Sequence, residues 1–119
     1  MNKDSNNDKG ISVQAGVQMR KGMLAYCVLL LCKDGKAYTS DIIRQMHDAE
    51  LIVVEGTLYP LLNRITREGL LAYEWQESAQ GPPRKYYWLT DDGHKTLDIL
   101  QAMYNDLHNS ISKLEKGKI

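Results

Sequence analysis

Glu55-Gly56-Thr57-Leu58-Tyr59-Pro60-Leu61-Leu62-Asn63-Arg64-Ile65-Thr66-Arg67-Glu68-Gly69 is the most informative stretch of this chain. Leu58, Leu61, Leu62 and Ile65 stand at i, i+3, i+4 and i+7, which predicts a helix over Glu55–Glu68 with a one-sided apolar stripe. Gly69 is placed to end it in the left-handed conformation. At about 100° per residue, the face opposite the stripe carries Gly56, Pro60, Asn63 and Arg67. Thr57 and Arg64 flank that face on one side, Tyr59 and Thr66 on the other. Pro60 falls in the early turns, where a missing N–H costs least.

Upstream, about Val17 to Lys33 suits a helix that is apolar nearly all round, so it must be covered on most sides. One small core can hardly surround it, which points to a subunit interface over part of it. Asp34-Gly35-Lys36 breaks that helix. Thr39 or Ser40 can cap a second one, with Asp41 favourable in its first turn and Ile42, Ile43 and Met46 as its buried stripe. Leu51 to Val54 reads as a short strand or an extended link.

Downstream, Leu70 to Gln76 and Lys85 to Leu89 are strand-like, separated by the turn chemistry of Ser78-Ala79-Gln80-Gly81-Pro82-Pro83. They predict a hairpin with Arg84 and Lys85 near its tip. Trp75 and Trp88 read as packing residues of that hairpin, with stacking on a ligand or nucleic acid as the alternative. Thr90-Asp91-Asp92 opens a last helix. Along it Leu97, Leu100, Tyr104, Leu107, Ile111 and Leu114 are spaced 3, 4, 3, 4, 3, a heptad seam that wants a partner helix.

The chain has 119 residues, enough for one domain, and 43% are hydrophobic, enough for a core. The longest apolar run, Met23 to Cys32, is too short to cross a bilayer. Met1 to Gly10 is polar without an apolar signal core, so a cytoplasmic protein is expected. Residues 1–12 read as a flexible tail. Fifteen basic residues balance fifteen acidic ones. Any contact with nucleic acid must therefore rest on a local gathering of positive charge.

Cys27 and Cys32 lie about 140° apart around a helix, so they read as two buried free thiols of a reducing compartment. His47, His94 and His108 read as solvated surface residues; no metal and no cofactor is expected. No motif surrounds the Ser, His, Asp or Cys residues that a catalytic set would need, so an enzyme is not expected.

The order helix, helix, helix, hairpin, long helix predicts a mainly α fold with a small β-hairpin wing. It is that of a winged helix-turn-helix over 13–90 followed by a dimerisation helix over 91–119. In that layout the third helix enters the major groove of double-stranded DNA. Asn63 and Arg64 suit adenine and guanine edges. Thr57 and Tyr59 can donate to phosphates near the helix start, beside Pro60. Arg84 and Lys85 would set the wing against the backbone or the minor groove. A homodimer would address a palindromic operator. A winged-helix dimer that binds protein and reads no DNA is the competing interpretation, favoured by the zero net charge.

Glu55-Gly56-Thr57-Leu58-Tyr59-Pro60-Leu61-Leu62, Arg64, Gly69-Leu70-Leu71, Gly81-Pro82-Pro83-Arg84-Lys85-Tyr86-Tyr87-Trp88-Leu89-Thr90 and Gly93 resemble the PadR family of bacterial transcriptional regulators. The likeness runs over about Met19 to Leu114, and the short tail resembles the subfamily with a single C-terminal helix. It implies a homodimeric repressor, not an enzyme, released from its operator by a small hydrophobic or aromatic effector. It also implies control of phenolic-acid detoxification or multidrug export genes. Phosphate contacts at the start of the second helix would fall to Tyr38 and Ser40. There, Tyr38-Thr39-Ser40-Asp41 replaces the Gly-bearing triplet of many members. Where some short members line a flat ligand pore with Trp, this chain has Tyr104, which with Leu100 and Met103 would form the effector site.

Overall fold

In the computed structural model of the chain, residues 3–117 are described, with side chains from Val13 onward. Four helices and a three-stranded sheet surround one core. The first helix, α1 (Lys3–Leu31), buries Leu24, Val28 and Leu29, with Cys32 just beyond its end. It begins well before Val17. Of the stretch expected as a tail, residues 3–12 continue the helix, and residues 1–2 lie outside the described residues. Once a helix is nucleated, each further residue adds a backbone bond without a new nucleation cost.

The chain turns at Gly35 (φ 132°) into β1 (Ala37–Tyr38). This two-residue strand was not expected, since it is too short to show alternation. It pairs antiparallel with the last strand, Ala37 opposite Tyr87 and Tyr38 opposite Tyr86. The next helix, α2 (Thr39–Asp48), starts straight from this strand, with Tyr38 in the N-cap position. Neither Thr39 nor Ser40 caps it, because both already belong to the first helical turn. Ile42 and Met46 are its buried residues.

Helix α2 closes on Glu50, whose φ of 65° is left-handed. The Glu50 and Leu51 N–H groups donate to the carbonyls of His47 and Met46, at 2.9 and 2.7 Å. The end of α3 (Glu55–Arg67) is built the same way. Gly69 (φ 83°) takes the left-handed place, and the Gly69 and Leu70 N–H groups donate to Thr66 and Ile65. Gly69 is thus the stop its position predicts. Leu51 to Val54 is an extended link, not a strand. Leu58, Leu62 and Ile65 of α3 are buried and Leu61 partly so. Pro60 lies deeper in the helix than expected, six residues in, so residue 60 donates nothing to the Gly56 carbonyl. Both residues are exposed, and that carbonyl can be met by water.

Strands β2 (Leu71–Ser78) and β3 (Gly81–Leu89) form the hairpin, in the sheet order β1-β3-β2. Pro82 and Pro83, expected in the turn, belong to β3. Neither can donate to the ladder, and the register shifts between Gln76 and Ser78 beside them. Leu71, Tyr87 and Leu89 carry the inner face of the sheet into the core.

Helix α4 (Asp91–Glu115) starts at the expected cap: the Gly93 N–H donates to Thr90 Oγ1 at 2.9 Å. The same hydroxyl donates to the Gly69 carbonyl at 2.7 Å, and the Thr90 N–H donates to that of Leu70 at 3.1 Å. The end of α3 and the start of α4 are therefore stapled together. Leu97 is only 5% exposed and belongs to the core of the chain, with Leu100 packed against that core. Leu97 is thus not a seam residue open to a partner. A heptad stripe records which side of a helix is apolar, not whose side chains cover it. Nor is α4 a separable dimerisation unit, since its first turns complete the winged helix.

Candidate nucleic-acid interface

Helix α3 presents the outer surface its pattern predicts. Tyr59, Pro60, Asn63, Arg64 and Arg67 are exposed, while Thr57 is half-buried. Two groups of basic side chains border it. On the α1 side, Lys21 lies with Thr57, Pro60, Arg64 and Arg67 around a shallow depression. Lys21 was not anticipated, because only the crossing of α1 over α3 brings it there. On the wing side, a cleft lies between α3, the start of α2 and the hairpin. Tyr59 and Asn63 line it opposite Ser40, Trp75, Arg84 and Lys85.

The wing cations are held in place by aromatic rings. The Arg84 guanidinium lies 3.8 Å from the centre of the Tyr38 ring, and its Nη2 donates to Ser40 Oγ at 3.3 Å. The Tyr38 hydroxyl is itself engaged with Gln76 Oε1. Tyr38 therefore supports the wing rather than standing free as a phosphate donor. Lys85 Nζ sits 4.1 Å from the Tyr73 ring centre and within 5.5 Å of those of Tyr87 and Trp75. On the other face of the hairpin, Lys36 covers Tyr86 at 4.7 Å, and the Tyr86 hydroxyl donates to Glu74 at 2.8 Å. Cation–π contact fixes a charge while leaving it uncompensated.

The one ion pair among the described residues joins Arg44 to Asp41 at 3.2 Å. It balances the acidic residue at the start of α2, and none of Lys21, Arg64, Arg67, Arg84 and Lys85 has a carboxylate partner there. A chain of zero net charge thus gathers basic side chains without an ion-pair partner on both sides of one exposed helix face. Trp88 is half-buried against Tyr86, as a packing residue should be. Trp75 is 58% exposed and is not one. Only the strand register, which sets it opposite Lys85 beyond the edge of the core, reveals this.

The profile of the transcriptional regulator PadR-like family matches residues 28–99, from the buried end of α1 through the hairpin to the start of α4. The chain belongs to this family. Its winged helix is therefore that of a PadR-like transcriptional regulator, a class of transcription factors and not of enzymes. It is similar to a PadR-like transcription factor from Bacteroides fragilis. The two are 52% identical over 85% of this chain and 98% of the other, with a TM-score of 0.74. A PadR family regulator from Eggerthella lenta is 30% identical over 98% of this chain and all of its own, with a TM-score of 0.84. PadR of Bacillus subtilis, solved in complex with operator DNA, shares the fold at 24% identity and a TM-score of 0.62. That likeness covers 66% of this chain and 47% of the other. No curated protein matches the chain.

In this PadR-like chain the residues expected at an effector site do come together. Leu100, Met103 and Tyr104 of α4 face Gly22, Met23 and Tyr26 of α1 across an open groove of about 480 Å³. The Tyr26 and Tyr104 ring centres are 5.9 Å apart. Of the expected seam, Tyr104, Leu107, Ile111 and Leu114 are exposed. Cys32 is buried and Cys27 partly so. Burial pushes the Cys32 thiol up to about 12 and raises that of Cys27, so neither is poised as a nucleophile. His47, His94 and His108 are exposed, and no cluster of metal-ligating side chains occurs among the described residues. No helix is long and apolar enough to cross a membrane among them.

Proposed function

We propose that this PadR-like regulator is a homodimeric, cytoplasmic repressor that binds a palindromic operator through α3 and its wing and leaves it when a small aromatic molecule binds. The observation that carries this reading is the exposed outer face of α3 between two groups of basic side chains that make no ion pair. Asn63 and Arg64 read base edges in the major groove. Lys21, Thr57, Tyr59 and Arg67 hold the flanking phosphates, and Ser40, Arg84 and Lys85 hold the strand beside the wing. The complex of Bacillus subtilis PadR with operator DNA supports this assignment by fold likeness.

Dimerisation uses the apolar residues of α4 that the protomer leaves exposed: Tyr104, Leu107, Ile111 and Leu114. The groove between α1 and α4 opens onto this surface and is of a size that takes a flat aromatic molecule, with Tyr26 and Tyr104 as stacking rings. Because Thr90 staples α4 to the end of α3, a ligand that shifts α4 also moves the recognition helices and spoils their half-site spacing.

Fluorescence anisotropy with duplex from the upstream region of its own gene tests the reading. Wild type binds with an affinity that falls steeply with salt. The double variant Arg64→Ala, Arg84→Ala loses at least about tenfold and has a shallower salt slope, by about 0.9 for each phosphate contact removed. Absence of salt-sensitive binding by wild type would overturn the proposal.

A further inference from the structure

Trp75 is the largest side chain exposed on the wing, and the fold of the protomer does not account for it. On β2 it shares a face with Leu71 and Tyr73, and across the ladder that face continues through Lys85, Tyr87 and Leu89. Lower down, the same face is core: Leu71, Tyr87 and Leu89 are all buried. Trp75 stands beyond the core edge, on the side of the hairpin that looks toward α3. A flat apolar ring of this size, 58% exposed, loses hydrophobic stabilisation for as long as nothing covers it.

What covers it is constrained by its neighbours. The cleft it lines also holds Arg84, Lys85, Tyr59, Asn63 and Ser40. The occupant must therefore be anionic, rich in acceptors and flat-faced at one point. The exposed apolar residues of α4 and of α1 do not line this cleft, and its two cations suit an anionic occupant better than an apolar dimer face. A DNA strand meets all three requirements. Its phosphates face the two cations, and its sugar and base offer a surface for the indole.

We propose that Trp75 is a DNA-contacting residue of the wing, packing its indole face on a sugar and base edge of the strand lodged between the wing and α3. The assignment rests on the operator-binding reading and adds to it an uncharged contact outside the recognition helix. Its energetic signature differs from that of the cations. A stacking contact adds affinity without releasing counterions, whereas each phosphate contact adds to the salt slope. The competing role is indirect: Trp75 lies within 5.5 Å of Lys85 Nζ and could act only by holding that cation.

The test compares wild type, Trp75→Ala, Trp75→Phe and Lys85→Ala, all full-length, by anisotropy against duplex from the gene's own upstream region at several salt concentrations. Circular dichroism confirms that each is folded. Trp75→Ala is expected to weaken binding about tenfold with an unchanged salt slope, and Trp75→Phe to recover most of the loss. Lys85→Ala is expected to lower the slope by about 0.9. The chain has two Trp residues, so Trp88→Phe leaves Trp75 as sole reporter, and its emission is expected to be quenched on adding duplex. Wild-type affinity in Trp75→Ala overturns the proposal, as does a slope reduced to that of Lys85→Ala without quenching. Either result leaves the operator reading intact. Failure of wild type itself to bind overturns both.

Discussion

The first turns of α4 and its last turns carry the same apolar spacing and meet opposite surroundings. At the start, Thr90 and Gly93 are pressed against the residues that follow α3 and end β3, and Leu97 is buried in the core. Farther along, Tyr104, Leu107, Ile111 and Leu114 remain exposed in the protomer. One continuous stripe is therefore covered within the chain at its start and left exposed at its end, where the proposed dimer would use it. Substitutions in the first half should cost folding energy at any protein concentration. Those in the second half should cost association.

Gly93, with Leu97, gives the largest expected effects. A Cβ built there would lie 3.1 Å from the Leu70 carbonyl carbon and far inside the contact distance of its oxygen. Gly93 is also helical, so Gly93→Ala should gain about 0.5–1 kcal/mol from propensity alone. The clash is with backbone, which cannot swing away. A net loss of about 3 kcal/mol is expected in urea unfolding. A neutral or stabilising result would mean that α4 is not locked to the end of α3.

Leu97 and Leu107 sharpen the contrast. Leu97→Ala empties a buried site and should cost about 2–5 kcal/mol in unfolding. Leu107→Ala, at a residue 56% exposed, should change the unfolding of the protomer by no more than about 0.5 kcal/mol. It should instead shift the monomer–dimer equilibrium toward monomer in sedimentation analysis. Equal effects of the two variants on unfolding, with no change in association, would remove the distinction between the halves.

The same contrast explains which parts of the molecule were legible in the sequence. Local chemistry was readable. The stripe of Leu58, Leu62 and Ile65, the left-handed Gly69, the Thr90 cap and the hairpin are set by near neighbours. So was the exposed surface of Asn63 and Arg64, because a helix has only one side opposite its stripe. What failed depends on distant partners. β1 has two residues and exists only because β3 pairs with it. Leu97 reads as seam until it is found buried in the core. Lys21 joins Arg64 and Arg67 only through helix crossing. Trp75 reads as packing until register places it past the core edge.

Within the first half of α4, Thr90 gives the smallest effect and the most specific one. Its hydroxyl bridges two elements, accepting from the Gly93 N–H and donating to the Gly69 carbonyl. Loss of an N-cap hydroxyl costs about 1 kcal/mol, and the second bond adds to this where Gly69 must find water instead. Thr90→Val keeps the shape and removes both bonds, so about 1–2 kcal/mol should be lost in urea unfolding. Thr90→Ser keeps the hydroxyl and should recover most of it. Amide exchange adds a local readout: the Gly93 N–H should exchange faster in Thr90→Val than in Thr90→Ser, relative to the loss in global stability. Equal exchange at Gly93 in the two variants would mean that the staple between α3 and α4 rests on packing around Gly93 and Leu97. The hydroxyl would then add nothing, and the first half of α4 would be held by shape alone.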